Sequence, residues 1–133
     1  MNELEQAIYS RLAGGTALTT KLGGTAIYNA MMPRGSSYPA VVFGHQGGGD
    51  ANQTPRRSKN VLYTIKAVSN LSMKAAGEVD ALIDDLMHEH TLTVAGWDNY
   101  WTMREQDVRF VETTAEGSNF WHVGGIYRIR LCE

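Results

Sequence analysis

Residues 47–50, "GGGD", are the first candidate for chemistry, because glycine-rich loops can bind a phosphate through backbone N–H groups. Such sites continue into a helix and carry a Lys-Ser or Lys-Thr pair, whereas this stretch continues into "TPRRSK" and a predicted strand. The pattern therefore predicts a long, exposed and flexible loop over residues 47–59, and no cofactor.

Histidines and serines are the second set of candidates. His88, Glu89 and His90 are ligand types, but side chains two residues apart on a helix point about 200° away from each other. We therefore predict no metal, and polar residues at a helix end. No serine lies in the strained strand-to-helix turn that exposes a nucleophile. His45 and His122 fall in predicted strands and are the candidate bases if the protein is a small hydrolase.

Carboxylates are the third set. Asp80, Asp84 and Asp85 lie on a predicted helix whose other face is apolar. Catalysis by paired carboxylates requires two groups that converge on one substrate. The spacing instead predicts that all three form the solvent-exposed face of the helix.

Two polar loops flank the strand that contains "YPAVVF", and they carry most of the chain's clustered positive charge. Long polar loops on a small domain without an enzyme motif are candidate interaction surfaces. We expect the two loops to lie at opposite ends of the strand. The candidate protein-interaction residues are Arg34, Tyr38, Gly48, Asp50, Arg56, Arg57 and Lys59.

Composition sets the broad class of the protein. The 133 residues suit one domain spanning 1–133, with 43% hydrophobic residues and a net charge of −2. That charge argues against non-specific binding to a phosphate backbone. The single cysteine, Cys132, fits a reducing compartment or a protein that makes no use of thiols, and we expect a soluble protein made in the cytoplasm.

Periodicity predicts the elements that position these residues. Leu4, Ile8 and Leu12 form a helical stripe after a capping box at Asn2 and Glu5, and a short helical turn follows at residues 17–22. Ser72 is predicted to cap a helix over 73–88. Alternation predicts strands over 25–33, 39–46, 60–70, 91–96, 99–113 and 119–133. The order α-β-β-β-α-β-β-β predicts an α+β domain with two helices on a mainly antiparallel sheet.

Several segments together resemble a known family. They are "AIYNAMMPRGSSYPAVVF", "VLYTIKAVSN", "AGEVDALIDDLM", the Arg104-x-x-Asp107-Val108-Arg109 segment and "GGIYRIRL". In this order and spacing they resemble the tail-completion, or tail-terminator, proteins of long-tailed phages and prophages.

The resemblance implies a structural protein that is not an enzyme and has no cofactor. It implies a homo-hexameric ring, assembled in the host cytoplasm, that caps the head-proximal end of the tail in the virion. The implied partners are other copies of the chain, the major tail tube subunit and the head-completion, stopper or connector protein. It implies no membrane and no sequence-specific nucleic acid, although DNA would pass through the ring. The alternatives are a neck or head-tail joining protein that acts after termination, a small binding module unrelated to phage, and a hydrolase.

A ring protomer also needs exposed strand edges or loops. Antiparallel strands can join neighbouring copies edge to edge, and cyclic closure makes each interface heterologous. We therefore expect the 47–59 loop, together with residues 33–38, to contact a neighbouring copy, the tube or the connector.

Overall fold

The computed structural model describes all 133 residues and contains three helices and six strands. The elements, in chain order, are α1 (Asn2–Ala13), α2 (Thr16–Leu22), β1 (Ile27–Asn29), β2 (Ala40–Asp50), β3 (Ser58–Ser69), α3 (Met73–Met87), β4 (Thr93–Val94), β5 (Trp97–Thr113) and β6 (Asn119–Cys132). The mainly antiparallel α+β class is confirmed. The short turn expected before β1 is a full helix, α2, and brings the number of helices to three.

The predicted stripe of α1 is confirmed, since Leu4, Ile8 and Leu12 are completely buried. The capping box is wrong, because the helix starts after Met1 and no side chain caps it. Glu5 has a different role. Its carboxylate accepts hydrogen bonds from the Tyr63 hydroxyl and from the Asn29 amide, both at 2.9 Å, and so ties α1 to the sheet.

Helix α3 begins as its sequence predicts. The Ser72 hydroxyl accepts a hydrogen bond from the backbone N–H of Ala75 at 3.0 Å, which satisfies one of the unpaired donors of the first turn. Val79 and Ile83 are fully buried, as the stripe requires.

One six-stranded sheet has the order β1-β2-β3-β6-β5-β4. Only the β1–β2 pair is parallel, and every other neighbouring pair is antiparallel. The first strand covers only Ile27–Asn29 of the predicted 25–33. The four strands β2, β3, β6 and β5 are long, and their alternating apolar residues form one core with all three helices. The helices therefore cover one face of the sheet.

The predicted bounds of the 47–59 loop are wrong. Gly47–Asp50 continue β2 and pair with Leu62–Lys59 of β3, so the connection spans only residues 51–57. A bulge between His45 and Gly47 shifts the register there. Gly48 has φ of +80°, and a Cβ at this position would lie 2.3 Å from the carbonyl oxygen of Asn60. Glycine is therefore needed for the strand to continue along β3.

Asp80 does not lie on a solvent-exposed face. Its residue is 8% exposed, and both carboxylate oxygens accept hydrogen bonds from the Arg104 guanidinium at 2.8 and 3.0 Å. Arg104 also donates to the Gly124 carbonyl at 2.8 Å and to Asp107 at 3.0 Å. This group, called the Arg104 clamp below, joins α3 to β5 and β6. A bidentate guanidinium–carboxylate pair is geometrically specific, so the clamp fixes their relative position.

We expect Arg104→Met to destabilise the fold by about 3–5 kcal/mol, because it leaves the Asp80 carboxylate buried without a partner. Urea unfolding followed by circular dichroism measures the change in the free energy of unfolding. The matched control is Arg109→Met, an exposed arginine on the same strand, for which we expect a change within about 0.5 kcal/mol. Equal losses in the two variants would contradict the clamp.

Candidate interaction surface

The sheet face opposite the helices has no covering layer. We call it the open face. Its residues alternate along the strands with those of the core, and they include Leu62, Thr64, Lys66, Val108, Phe110, His122, Ile126, Arg128 and Arg130. Most of these side chains are half-buried by their neighbours on the sheet alone. The open face is thus a broad surface of mixed apolar and charged character.

Cation–aromatic pairs recur across the open face. The Lys66 ammonium lies 5.1 Å from the ring centroid of Phe110, and the Arg130 guanidinium lies 5.2 Å from that of Trp101. Each pair lets a cation cover an aromatic ring while part of the ring stays accessible. Trp101 remains 40% exposed and Phe110 43% exposed. Exposed aromatic residues next to arginine are typical of protein–protein contact surfaces.

His122 is the most enclosed polar group of the open face. Its ring stacks on Phe110 with centroids 4.4 Å apart, and its Nε2 lies 3.2 Å from a Glu112 carboxylate oxygen. Its Nδ1 is buried without a hydrogen-bond partner. Burial and the nearby Lys66 charge lower the pKa of His122, and Glu112 opposes them. The fold therefore favours the neutral imidazole.

Four of the predicted interaction residues lie together where β2 turns into β3. Asp50 and Lys59 face each other across the two strands and form an ion pair. Arg56 and Arg57 follow in the 51–57 loop, and both are exposed. The loop is tied to the end of the sheet, because the backbone N–H of Glu133 donates to the Arg57 carbonyl at 3.0 Å. This end of the molecule presents two unpaired arginine side chains.

Arg34 and Tyr38 lie at the other end of β2. Arg34 is exposed in the loop before the strand, and the Tyr38 ring packs on Phe120 with centroids 5.0 Å apart. The structure therefore places the two predicted loops at opposite ends of the strand, as expected. It does not bring their arginines together. Gly48, between them, is required by the backbone of β2.

The candidate bases and carboxylates do not converge. His45 packs edge-on against Tyr63 on the covered side of the sheet, whereas His122 lies on the open face. A recess between α3 and β5 contains Asp80 and Asp84, but Asp80 is bound by Arg104 and Asp84 accepts from the Tyr127 hydroxyl at 2.8 Å. No three His, Cys, Asp or Glu side chains come together in a way that could hold a metal ion.

His88 and the open face make contacts that the sequence pattern did not predict. His88 is the C-cap residue of α3 and donates its backbone N–H to the Asp84 carbonyl at 2.9 Å, while its Nδ1 accepts the backbone N–H of Arg104 at 3.1 Å. The aromatic members of the open face, Trp101 and Phe110, were missed as interaction candidates. The alternation of His122, Arg128 and Arg130 with apolar residues in β6 indicated a polar face of the sheet, but the residues of β5 that lie beside them depend on the strand register.

No helix in the chain combines the length and apolarity that crossing a membrane requires.

Comparison with known proteins identifies the family. Residues 6–119 match the family model described as tail completion protein gp17. A chain in the solved virion of a native gene transfer agent particle shares the fold with a TM-score of 0.79 at 18% identity, over 98% of this chain and 95% of that one. A second solved structure has a TM-score of 0.59 at 11% identity, over 99% of this chain and 94% of that one. No curated protein sequence matches significantly.

We expect His122 to make stability depend on pH. Its lowered pKa means that the unfolded chain binds a proton before the folded one does, so its contribution is complete above about pH 6.5 and declines as the pH falls below that value. In His122→Gln this decline is absent. Urea unfolding between pH 7.5 and 5.5 measures it, and His90→Gln, at an exposed histidine, is the control. Parallel stability curves for the wild type and His122→Gln would contradict the role of burial.

Proposed function

Because the chain belongs to the tail completion protein gp17 family, it is a structural protein of a phage tail, and we propose that it caps the head-proximal end of the tail tube as a hexameric ring. In this role it stops tube polymerisation and offers the surface on which the head connector docks. Its partners are then its own copies, the major tube subunit and the head-completion or connector protein, with DNA passing through the ring.

The observation that carries this proposal is the position of the two loops. Arg34 and the pair Arg56–Arg57 are exposed at opposite ends of β2, whose 11 residues span roughly 35 Å. A cap between a tube and a connector needs two separate contact surfaces, one facing each partner. A protomer whose long strands run between the tube side and the head side provides both.

Termination follows from the difference between the two ends. The loop at residues 51–57 carries two exposed arginines, whereas the 30–39 loop carries one arginine beside the Tyr38–Phe120 pair. In the proposed role one end of the ring binds the tube, and the other end lacks the surface to which a further tube subunit would bind. The ring therefore ends polymerisation by surface mismatch.

The second candidate function is a joining protein that acts after termination. The same loops would serve it, and the distinction lies in the tails that form without the protein. Electron microscopy of a producer strain that lacks the gene separates the two. Termination predicts free heads with abnormally long or headless tails, whereas joining predicts detached tails of normal length. Particles with complete, normal tails would contradict both.

We expect the double charge reversal Arg56→Glu/Arg57→Glu to abolish complete tails while the chain still folds. Both side chains are exposed, so their substitution changes stability by no more than about 0.5 kcal/mol, whereas reversal of charge opposes a partner that is complementary to arginine. Particle titre and electron microscopy measure the effect. The control is Lys74→Glu, an exposed charge on α3.

A normal titre from the Arg56→Glu/Arg57→Glu strain would exclude this loop as a contact surface. The variant is restricted to the loop for a structural reason. A deletion that reached residues 48–50 would also remove part of the β2–β3 ladder.

A further inference from the structure

The sheet has two strand edges whose backbone groups lack a neighbouring strand. On one side, β1 pairs with β2 only as far as Phe43, so His45–Asp50 have an unpaired outer edge. On the other side, β4 pairs with β5 only at Trp97 and Asp98. We call His45–Asp50 the β2 edge and Glu105–Thr113 the β5 edge.

The β5 edge begins after Arg104, because the loop that follows α3 makes hydrogen bonds to β5 up to that residue. The Thr102 carbonyl accepts the backbone N–H of Glu89 at 2.8 Å, and the N–H of Arg104 donates to His88. From Glu105 to Thr113 the strand pairs with β6 alone. Phe110 and Val111 within this segment are 43% and 52% exposed. Long edges with exposed apolar residues are templates for the addition of another strand.

The β2 edge is suited to close approach by a strand. Gly47 and Gly49 have ordinary φ values and no atom within 4 Å of a Cβ built on them. An incoming backbone thus meets no side chain at these two positions. Glycine in a strand often marks a site where another backbone comes close.

We propose that the β5 edge of one copy pairs with the β2 edge of the next copy, head to tail around the ring. This rests on the proposed function, and it specifies the contact between copies. The strands β2, β3, β6 and β5 alternate in direction, so β5 runs opposite to β2. Two copies in the same orientation therefore bring these edges together antiparallel, and every added copy repeats the same heterologous interface.

The positions of the two edges predict a tilted, closed arrangement. Arg109, in the middle of the β5 edge, is level with Ala67 of β3, whereas Gly47 is level with Leu62. The two edges are thus offset by five residues along the strands. Because side chains alternate between faces, only an even shift keeps the same face of both sheets aligned. Each copy is therefore shifted along the strands relative to the next by about four or six residues, roughly 13–20 Å. Four strands spaced about 4.8 Å apart are then tilted by roughly 35–45°, the range in which sheets close into barrels.

Closure also assigns the two faces of the sheet. The helices form a layer on one face only, and we place that layer outside because the outer face of a closed sheet has the greater circumference to hold it. The open face then faces the axis, where Lys66, Arg128 and Arg130 are balanced in part by Glu105 and Glu112. The cation–aromatic pairs of this face are therefore assigned to the channel lining.

Cysteine cross-linking in assembled tails tests the pairing. With Cys132→Ser as background, the variants carry Gly47→Cys, Val108→Cys or both, and a short bismaleimide links cysteines a few residues apart. Gly47 lies in the β2 edge and Val108 in the β5 edge, and a cysteine side chain at either position does not clash with the backbone. The double variant is expected to give a ladder of cross-linked oligomers up to the full ring, and the single variants are expected to give only monomers. Val108→Cys with Ser10→Cys, on the exposed side of α1, is the control.

A dimer from Val108→Cys alone would overturn the proposal in favour of a two-fold β5–β5 contact. Absence of a ladder from tails in which electron microscopy shows the ring would overturn the edge pairing and leave the proposed function intact. The unmodified protein gives an independent reading by hydrogen exchange. On assembly, amides of both 45–50 and 105–113 should gain protection, and protection of one edge or neither would overturn the pairing.

Discussion

The Arg104–Asp80 pair is the interaction on which the long β5–β6 hairpin depends. Removing a guanidinium and a carboxylate from water is costly, and the cost is offset only by close geometry and full hydrogen bonding. Here the guanidinium reaches Asp80, Asp107 and the Gly124 carbonyl, so its donors are used on three sides. A Cβ on Gly125 would lie 2.5 Å from the Arg104 Nε, so the Arg104 side chain in this position requires glycine at residue 125.

The clamp connects the fold to the proposed assembly. The clamp lies at the point on β5 where hydrogen bonds to the loop at residues 88–91 end and the β5 edge begins. Beyond it, Glu105–Thr113 pair with β6, and Asp107 accepts a hydrogen bond from the same Arg104 guanidinium. A ring interface made by a strand edge requires that the edge be preorganised, since ordering it on binding would weaken the contact. The buried ion pair supplies that rigidity next to the edge.

The sequence predicted the elements that have a clear period, because burial on one side imposes that period on the residues. The alternation of β6 and the stripe of α3 were readable for this reason. Gly47–Gly49 carry no period, so their strand character, which comes from the ladder with β3, was not visible. Asp80 was placed in solvent because its partner, Arg104, is 24 residues away and is brought near only by the packing of α3 on the sheet. The two loops were correctly predicted to lie at opposite ends of β2 because they flank it in the sequence, whereas the aromatic pairs of the open face require the strand register.

We propose that copies of this chain form a ring, edge to edge, at the head-proximal end of the tail. A cryo-electron microscopy map of the neck of intact particles, at a resolution that separates strands, would show this ring and its strand pairing. We expect six copies above the last tube ring, with their helices outward and β5 of each copy beside β2 of the next in one continuous sheet. A neck in which this chain forms no ring, or in which the 45–50 and 105–113 edges remain unpaired, would contradict it.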